Sequence, residues 1–505
     1  MFTLIDKLLN KVTMYRLVLY YLLFLLGVAV LLSTFGMLPY NPLAIVFSAI
    51  FLTVVSWLTN KIFSRVWSVP TNVESVYITA LILALIIAPA RSLNDLSFLA
   101  WAAVWAMASK YILAVRKKHL FNPAAFAVAL TALTLNQSAN WWIATLSLAP
   151  FVLVGGLLIT RKIRRFDMVF SLIGFALVSI LGMKIFEGGD ALAAFGKIFI
   201  NTPILFFAFI MFTEPLTTPP TRGLRILYGA LTGFLFAPWV HIGSIYSTPE
   251  IALLCGNMFA YLVSPKDKLV LKLKVIVPVA QDVYDFVFEK TDRFAFHPGQ
   301  YLEWTLGHPH PDNRGNRRYF TIASAPTEKE IRIGIKFYND PSSFKDALGS
   351  LNQGETIVAS QLAGDFILPN DPNKKLAFIA GGIGVTPFRS MIKYLADMGE
   401  RRSIVLFYAN KSAQDIAYVD VFNDAARRVG VRTVYTITDK NAIPRGWNGE
   451  TGYIDKAMIA KEIPDFRERI FYISGPHAMV ENYYSVLRTM GIPRRQIRTD
   501  YFPGF

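Results

Sequence analysis

The sequence predicts a multi-domain chain: an N-terminal all-α polytopic membrane bundle of about ten helices, then an antiparallel β-barrel, then an α/β doubly wound sheet. Three observations carry this expectation. The 505 residues are 53% hydrophobic with a mean hydropathy of +0.40, too apolar for an ordinary soluble protein. The long apolar runs stop near residue 265, and from Leu269 short segments of alternating polarity take over, punctuated by Gly, Pro and Asp. Beyond Lys375, strand-like segments alternate with helix-like ones. The expected domains are therefore 1–265, 266–372 and 373–505.

In the first of these, apolar stretches recur at 17–32, 43–58, 76–89, 96–115, 123–135, 142–159, 168–186, 200–212, 224–240 and 251–263. The short ones that begin at Pro123, Ile200 and Ile251 fall below the ~20 residues a spanning helix needs, and are expected to be tilted, broken or re-entrant. Orientation follows from the cations. Lys61 and Arg65, Arg116 to Lys118, Arg161 to Arg165, Arg222 and Arg225, and Lys266 and Lys268 all follow even-numbered stretches, whereas the odd-numbered connections hold few. This alternation puts both termini on the cytoplasmic side of a bacterial-type cytoplasmic membrane, crossed many times. The first stretch has no small-residue cleavage site after it and reads as an anchor.

The formal net charge of +16 divides into +10 for residues 1–265, from 18 Lys/Arg against 8 Asp/Glu, and +6 for the rest. Cations gathered between apolar stretches indicate topology, and no nucleic-acid partner is expected. Cys255 is the one cysteine, which excludes disulfides, thiolate zinc and cysteine-ligated iron–sulfur clusters within this chain; no metal site is expected. A transmembrane haem pair would need about four axial histidines, and the membrane half holds His119 and His241, both near helix ends. Redox chemistry would fall to organic cofactors.

Two polar interruptions stand out in the apolar half. One is FNPAAF at 121–126, with Asn122 and Pro123; the other is MFTEPLTTPPT at 211–221, with Thr213, Glu214, Thr217 and Thr218. The prolines could simply end helices and the threonines cap them. Alternatively, Pro-broken helix ends leave backbone groups free to bind a ligand in the cytoplasmic half of the bilayer. Asn122 and Asn257 occupy matching places five stretches apart, with Phe126-Ala127 and Phe259-Ala260 after them, which hints at an internal repeat. With TEPLTTPPTRG, LYGALTG and VESVYITALILALIIAP, these elements make about 250 residues resemble the RnfD/NqrB family of membrane electron-transport subunits. That resemblance implies a flavin, commonly FMN esterified to threonine in an S-G-A-T type sequence. This chain has no such sequence, so a second, non-covalent flavin (FMN or riboflavin) or a quinone is implied instead.

In the second half, RRYFTIAS at 317–324 supplies a cation for phosphate, an aromatic face and a hydroxyl. AGGIGVTPF at 380–388 follows a strand and opens a helix, where glycines let backbone approach a pyrophosphate and the helix N-terminus favours its charge. SGP at 474–476 repeats the strand-to-helix setting, so two strand ends would frame one crevice. These three, with NDPSSFKDAL, GDFILP and the terminal DYFPGF, run in order through about 235 residues and resemble the ferredoxin–NADP reductase superfamily.

That resemblance implies FAD and NAD(P)H. Arg318 would pair with the FAD pyrophosphate, Phe320 stack on the isoalloxazine, Thr321 reach its N5 edge, and Ser342 or Ser343 assist the phosphates, with Tyr319 and Ser324 in the same flavin-binding stretch. Gly381, Gly382, Gly384, Thr386 and Pro387 would cradle the dinucleotide, and Gly475 and Pro476 close over the nicotinamide. The chain departs from the usual pattern twice. Phe320 stands where tyrosine is usual, and Ser474 where cysteine is usual, near the hydride path; Thr321 and Ser474 are the catalytic candidates. Phe502 or Phe505 could cover the flavin, or simply pack. Asn410-Lys411-Ser412 leaves NADH and NADPH both open.

The expected function is that of a membrane-bound flavoprotein that oxidises NAD(P)H in the cytoplasm and passes single electrons to a flavin or quinone site in the bundle, then to quinone or a trans-membrane acceptor. Partner subunits or a homo-oligomer fit this picture. Two other readings are a transporter regulated by its redox domain, and a membrane-anchored reductase serving a soluble carrier protein.

Overall fold

The computed structural model describes residues 5–6, 9, 12–67, 73–115, 118–264, 269–290, 294–309, 311–312 and 315–502. The chain divides into two compact units, Met1–Lys268 and Leu269–Phe505. Phe505, Arg116, Lys117, Lys266 and Lys268 lie outside the described residues, as do their expected roles.

The first unit is helical: α1 (Met14–Thr34), α2 (Pro42–Val66), α3 (Val73–Ile86), α4 (Asp95–Ile112), α5 (Pro123–Leu135), α6 (Ala149–Ile163), α7 (Phe166–Phe186), α8 (Ala191–Asn201), α9 (Arg222–Leu235) and α10 (Pro249–Val263). Between α8 and α9 lies the segment Ile204–Met211, which begins as an α-turn and widens into a π-helix at Phe207–Met211. Each apolar stretch of the sequence contributes helix, but the expectation of about ten spans needs correction. Among the described residues α1, α2 and α7 are long and apolar enough to cross a membrane, and a fourth span results if α8 and Ile204–Met211, bent by 65°, count as one. The physical reason is length. Helices α3, α5 and α10 have 14, 13 and 15 residues, which at ~1.5 Å per residue reach about 20 Å against a hydrocarbon thickness of about 30 Å. Proline sets their starts at Pro123 and Pro249, and Asn136 stops α5 by turning left-handed (φ 53°).

Large apolar side chains on α1, α2 and α7, among them Phe24, Leu43, Ile50, Phe170 and Val178, point outward. The π-helical segment is central instead: Phe206, Phe207, Phe209 and Phe212 are all at most 2% exposed. Helix α9 lies directly on α7 because Gly229 and Gly233 are spaced four apart. A Cβ on them would sit 2.6 Å from Met168 O and 2.3 Å from Leu172 O.

The second unit opens with six antiparallel strands, β1 (Leu269–Ala280), β2 (Val283–Glu289), β3 (Tyr301–Thr305), β4 (Arg317–Thr321), β5 (Glu330–Lys336) and β6 (Thr356–Ala363), with α11 (Ser343–Gly349) between β5 and β6. Their order is β4-β3-β6-β1-β2-β5. The two edges meet just beyond β4, where Ala323 N–H donates to Arg332 O of β5 (2.8 Å), so the sheet curls into a barrel. Alternate residues such as Leu271, Leu273, Phe286, Phe288, Leu302 and Trp304 fill it.

A parallel sheet follows, from β7 (Leu376–Gly381), β8 (Ile404–Asn410), β9 (Arg432–Ile437), β10 (Glu450–Thr451), β11 (Ile470–Pro476) and β12 (Ile497–Phe502). Its order is β10-β9-β8-β7-β11-β12. Every residue of β7 and β8 is buried, as expected of parallel strands covered by helices on both faces. Those helices are α12 (Thr386–Met398), α13 (Val419–Val429), α14 (Lys456–Glu462) and α15 (His477–Thr489). Strand order reverses between β7 and β11, which makes their carboxyl ends the topological switch point.

Candidate functional site

Both glycine loops of the sequence stand at that switch point. After β7 the chain makes a short 3₁₀ turn, Gly382–Val385, and runs straight into α12 with Pro387 in its first turn. Gly382 has φ +52° and open space where a Cβ would be. Gly384 is the opposite case: a Cβ there would lie 2.5 Å from both Gly475 Cα and Ser474 O, so the two loops touch backbone to backbone. Gly381 faces Met479 Sδ, 2.1 Å from an added Cβ. Thr386 donates to Ile383 O (3.2 Å) and shapes the turn. Ser474 is fully buried and its hydroxyl has no hydrogen-bond partner. Strand β12 pairs Gly475 with Tyr501 and Pro476 with Phe502, bringing the C-terminal backbone to the same edge.

The flavin stretch forms β4, with Thr321 opposite Tyr301, Phe320 opposite Leu302 and Arg318 opposite Trp304. Arg318 and Phe320, two apart, turn to the same neighbour: the Arg318 guanidinium lies over the Phe344 ring (5.2 Å), and Phe320 meets that ring at 5.9 Å. Arg318 is anchored by Gly315 O (3.0 Å) and Arg317 O (2.7 Å), with Asp312 3.6 Å away. Ser343 joins the group, accepting from Asp312 N–H (3.0 Å) and contacting His308 Nε2 (3.1 Å). Ser342 caps α11 through Lys345 N–H. Arg318, Phe320, Ser342 and Ser343 are thus brought together, and Asp312 and His308 are neighbours the sequence reading missed. Tyr319 points away, half exposed, and donates to Glu303 (2.8 Å). Thr321 is buried with an unpartnered hydroxyl.

Ser324 occupies a different place. Its hydroxyl accepts from Arg332 N–H (3.1 Å) and its carbonyl from Ser390 of α12 (2.7 Å), so it lies in the seam between barrel and parallel sheet. Charged groups line that seam. Burial pushes the Asp285 carboxyl above its usual range. Burial would raise Glu328 too, yet its hydrogen bond with Arg389 carries it below the usual carboxylate value.

The interruptions in the helical unit also converge. Glu214 accepts from Asn122 Nδ2 (2.9 Å) and contacts His119 Nε2 (3.1 Å). Asn122 N–H donates to Asn257 Oδ1 (2.8 Å), and Asn257 donates to Tyr228 OH (3.0 Å), whose ring stacks on Phe212 at 4.4 Å. A small cavity lined by Ser75, Thr79, Asn122, Pro123 and Glu214 adjoins them. Lys110 was missed: its ammonium donates to Ser75 O, Ser75 Oγ and Thr79 Oγ1, each at 3.0 Å. A lysine inside an apolar stretch is itself a signal that could have found it. Thr213, Thr217 and Thr218 stay out of this cluster; their hydroxyls return to the carbonyls of Phe209, Glu214 and Pro215 in their own turns.

Residues 378–484 match the family described as Oxidoreductase NAD-binding domain. A flavohemoprotein of Burkholderia sp. (strain TH2) is 29% identical over 208 residues, covering 41% of this chain and 51% of its own length. The glycine betaine monooxygenase reductase subunit of Pseudomonas aeruginosa (strain UCBPP-PA14) is 27% identical over 232 residues, covering 45% and 63%. The chain therefore spans less than two thirds of these relatives' own lengths. Among solved structures, the Amycolatopsis cytochrome P450 reductase GcoB is 22% identical with a TM-score of 0.42, covering 46% of this chain and 69% of that one. The second unit carries an NAD-binding domain of the ferredoxin–NADP reductase type, with relatives among flavohemoproteins and reductase subunits. It is an oxidoreductase module of the kind that binds FAD and NAD(P)H.

Proposed function

We propose that the chain is a membrane-bound, NAD(P)H-oxidising flavoprotein whose helical unit receives the electrons. The observation that carries the reading is the contact of Gly384 with Gly475 at the switch point, with the buried, unpartnered hydroxyl of Ser474 beside it. A glycine cradle with an orphaned hydroxyl fits a dinucleotide, and the orphaned hydroxyl of Thr321 beyond the Arg318–Phe320 face fits a flavin edge. FAD, when bound, takes a hydride from the dinucleotide and releases electrons singly.

The chain's own part is placement. Arg318 with Ser342 and Ser343 would hold the FAD phosphates, and Phe320 the ring face. Gly381, Gly382, Gly384, Thr386 and Pro387 would hold the dinucleotide pyrophosphate at the start of α12, and Gly475 and Pro476 the nicotinamide. Thr321 and Ser474 would donate hydrogen bonds at the reacting edges. Hydride transfer depends on holding two atoms about 3–3.5 Å apart, so fixed backbone is the catalytic device.

In the helical unit the reading assigns an RnfD/NqrB-like acceptor site, for a non-covalent FMN or riboflavin or for a quinone, to Asn122, Pro123 and Glu214, joined by His119. A buried polar cluster in an apolar bundle supports it, because such groups are rarely kept there without a task. The N- and C-termini would face the cytoplasm. The reductase-subunit relatives favour a second reading, a membrane-held reductase that serves a separate carrier or oxygenase protein. Purified full-length protein separates the two: acid extraction should release FAD with FMN or riboflavin, and NAD(P)H should reduce added quinone. FAD alone and no quinone reduction would leave the second reading, and no NAD(P)H oxidation with any acceptor would defeat both.

A further inference from the structure

Arg389 and Ser390, one turn into α12, connect the nucleotide loop to the flavin strand by the shortest route in the molecule. Arg389 Nη1 donates to Ala323 O (2.8 Å), two residues beyond Thr321, and Arg389 itself stands three residues beyond Thr386. Its guanidinium is gripped on two prongs by Glu328, at 2.6 and 3.0 Å. Glu328 Oε2 also accepts from Ala325 N–H (2.6 Å), so one carboxylate fixes both the arginine and the backbone that the arginine holds. Ser390 adds a second tie to Ser324 O (2.7 Å). A third follows at the same seam, where Tyr418 OH donates to Asp285 of β2 and its ring lies 5.4 Å under Arg389. Gly334 of β5 lets the seam close: an added Cβ would be 2.4 Å from Tyr418 OH and 2.8 Å from Thr386 Cγ2. Arg389, Ser390, Ser324 and Asp285 are all at most 4% exposed.

Buried charges in a joint are a costly way to gain stability, since apolar residues would serve as well. What a two-pronged arginine clamp adds is direction, because both partners are planar. We infer that Arg389 is a positioning residue: clamped by Glu328, it sets the separation between the Thr321 edge of the barrel and the Thr386 end of the nucleotide loop, and thereby the hydride-transfer distance. This rests on the proposed function, in which flavin and nicotinamide lie on those two edges. Neither Arg389 nor Glu328 is assigned to touch either cofactor.

The test is Arg389→Lys, which keeps the charge but not the fork, alongside Glu328→Gln and Ser390→Ala. In full-length protein, flavin bleaching by NADH and NADPH is followed by stopped flow, with extracted FAD content, dissociation constants for the oxidised dinucleotides, and amide exchange of 323–328 in FAD-stripped protein. Arg389→Lys should slow bleaching at saturating dinucleotide by about 10–100-fold, in line with a sub-ångström to 1 Å displacement. FAD content and dinucleotide affinity should stay within about threefold, and exchange at 323–328 should rise even without FAD. Ser390→Ala should give a milder loss of the same pattern. Bleaching at the wild-type rate in both Arg389→Lys and Glu328→Gln, or a loss that merely follows FAD content, overturns the inference while leaving the proposed function intact. Absence of bleaching in the wild type overturns both.

Discussion

The backbone N–H of Asn122 donates to the side chain of Asn257 at 2.8 Å, across 135 residues of sequence. Each asparagine also holds another partner, Glu214 for the first and Tyr228 for the second, so the pair joins α5, α9, α10 and the turn after the π-helix in one buried chain of hydrogen bonds. Replacing Asn257 by Leu leaves a buried N–H unpaired at a cost of about 1–3 kcal/mol. The expected result is a lower Tm in detergent, with NAD(P)H oxidation by the second unit retained toward a soluble dye.

Glu214→Gln keeps the shape of this cluster and removes its charge. Under the proposed function, quinone reduction by the full chain should fall about 10-fold or more, while NAD(P)H-to-ferricyanide activity stays within about twofold. Equal loss of both activities would count against an acceptor site at Glu214.

At the switch point, Gly384→Ala would bring a Cβ to 2.5 Å from Gly475 Cα. The loops must part, and dinucleotide affinity should drop at least about 10-fold while FAD remains bound, as measured by titration of the oxidised dinucleotide against flavin absorbance.

Thr321→Val discriminates a site residue from a packing residue. The hydroxyl has no partner within the protein, so its loss should change Tm by no more than ~0.5 kcal/mol in equivalent stability. Flavin reduction should nonetheless slow, about 3–10-fold by single-turnover kinetics, if this group donates at the flavin edge.

Glu328 gives a pH prediction of definite sign. Burial acts to raise it, but Arg389 holds it below the ordinary value of 4.5, so the folded state binds fewer protons than the unfolded chain in that range. Its stabilising contribution is complete above 4.5 and is lost as the pH falls through the depressed value. Wild-type Tm should therefore fall more steeply on acidification than that of Glu328→Gln.

Much of this was readable because period and punctuation are local. The alternation in LVLKLKVIVPVA became β1, and AGGIGVTPF became a strand end, a 3₁₀ turn and a helix start. Apolarity, by contrast, does not fix helix length, and the apolar stretches yielded three helices long enough to cross rather than ten. Helix α5 is cut at both ends by local chemistry, Pro123 and the left-handed Asn136, inside what hydropathy reads as a span. Pairings are the other illegible part. Nothing in PFRSM announces that Arg389 will find Glu328, 61 residues upstream, or that Ser324 will be held by α12.

The π-helix at Phe207–Met211 bears on how this chain can vary. A π-turn holds one residue more than an α-turn, so loss of any one residue from 207–211 can be absorbed by reverting to α-helix without breaking the backbone. The chain would survive such a deletion, but everything after it would swing by about 100° around the helix axis. Glu214 would then leave Asn122 and His119, and a single-codon deletion there would separate a folded protein from a working one.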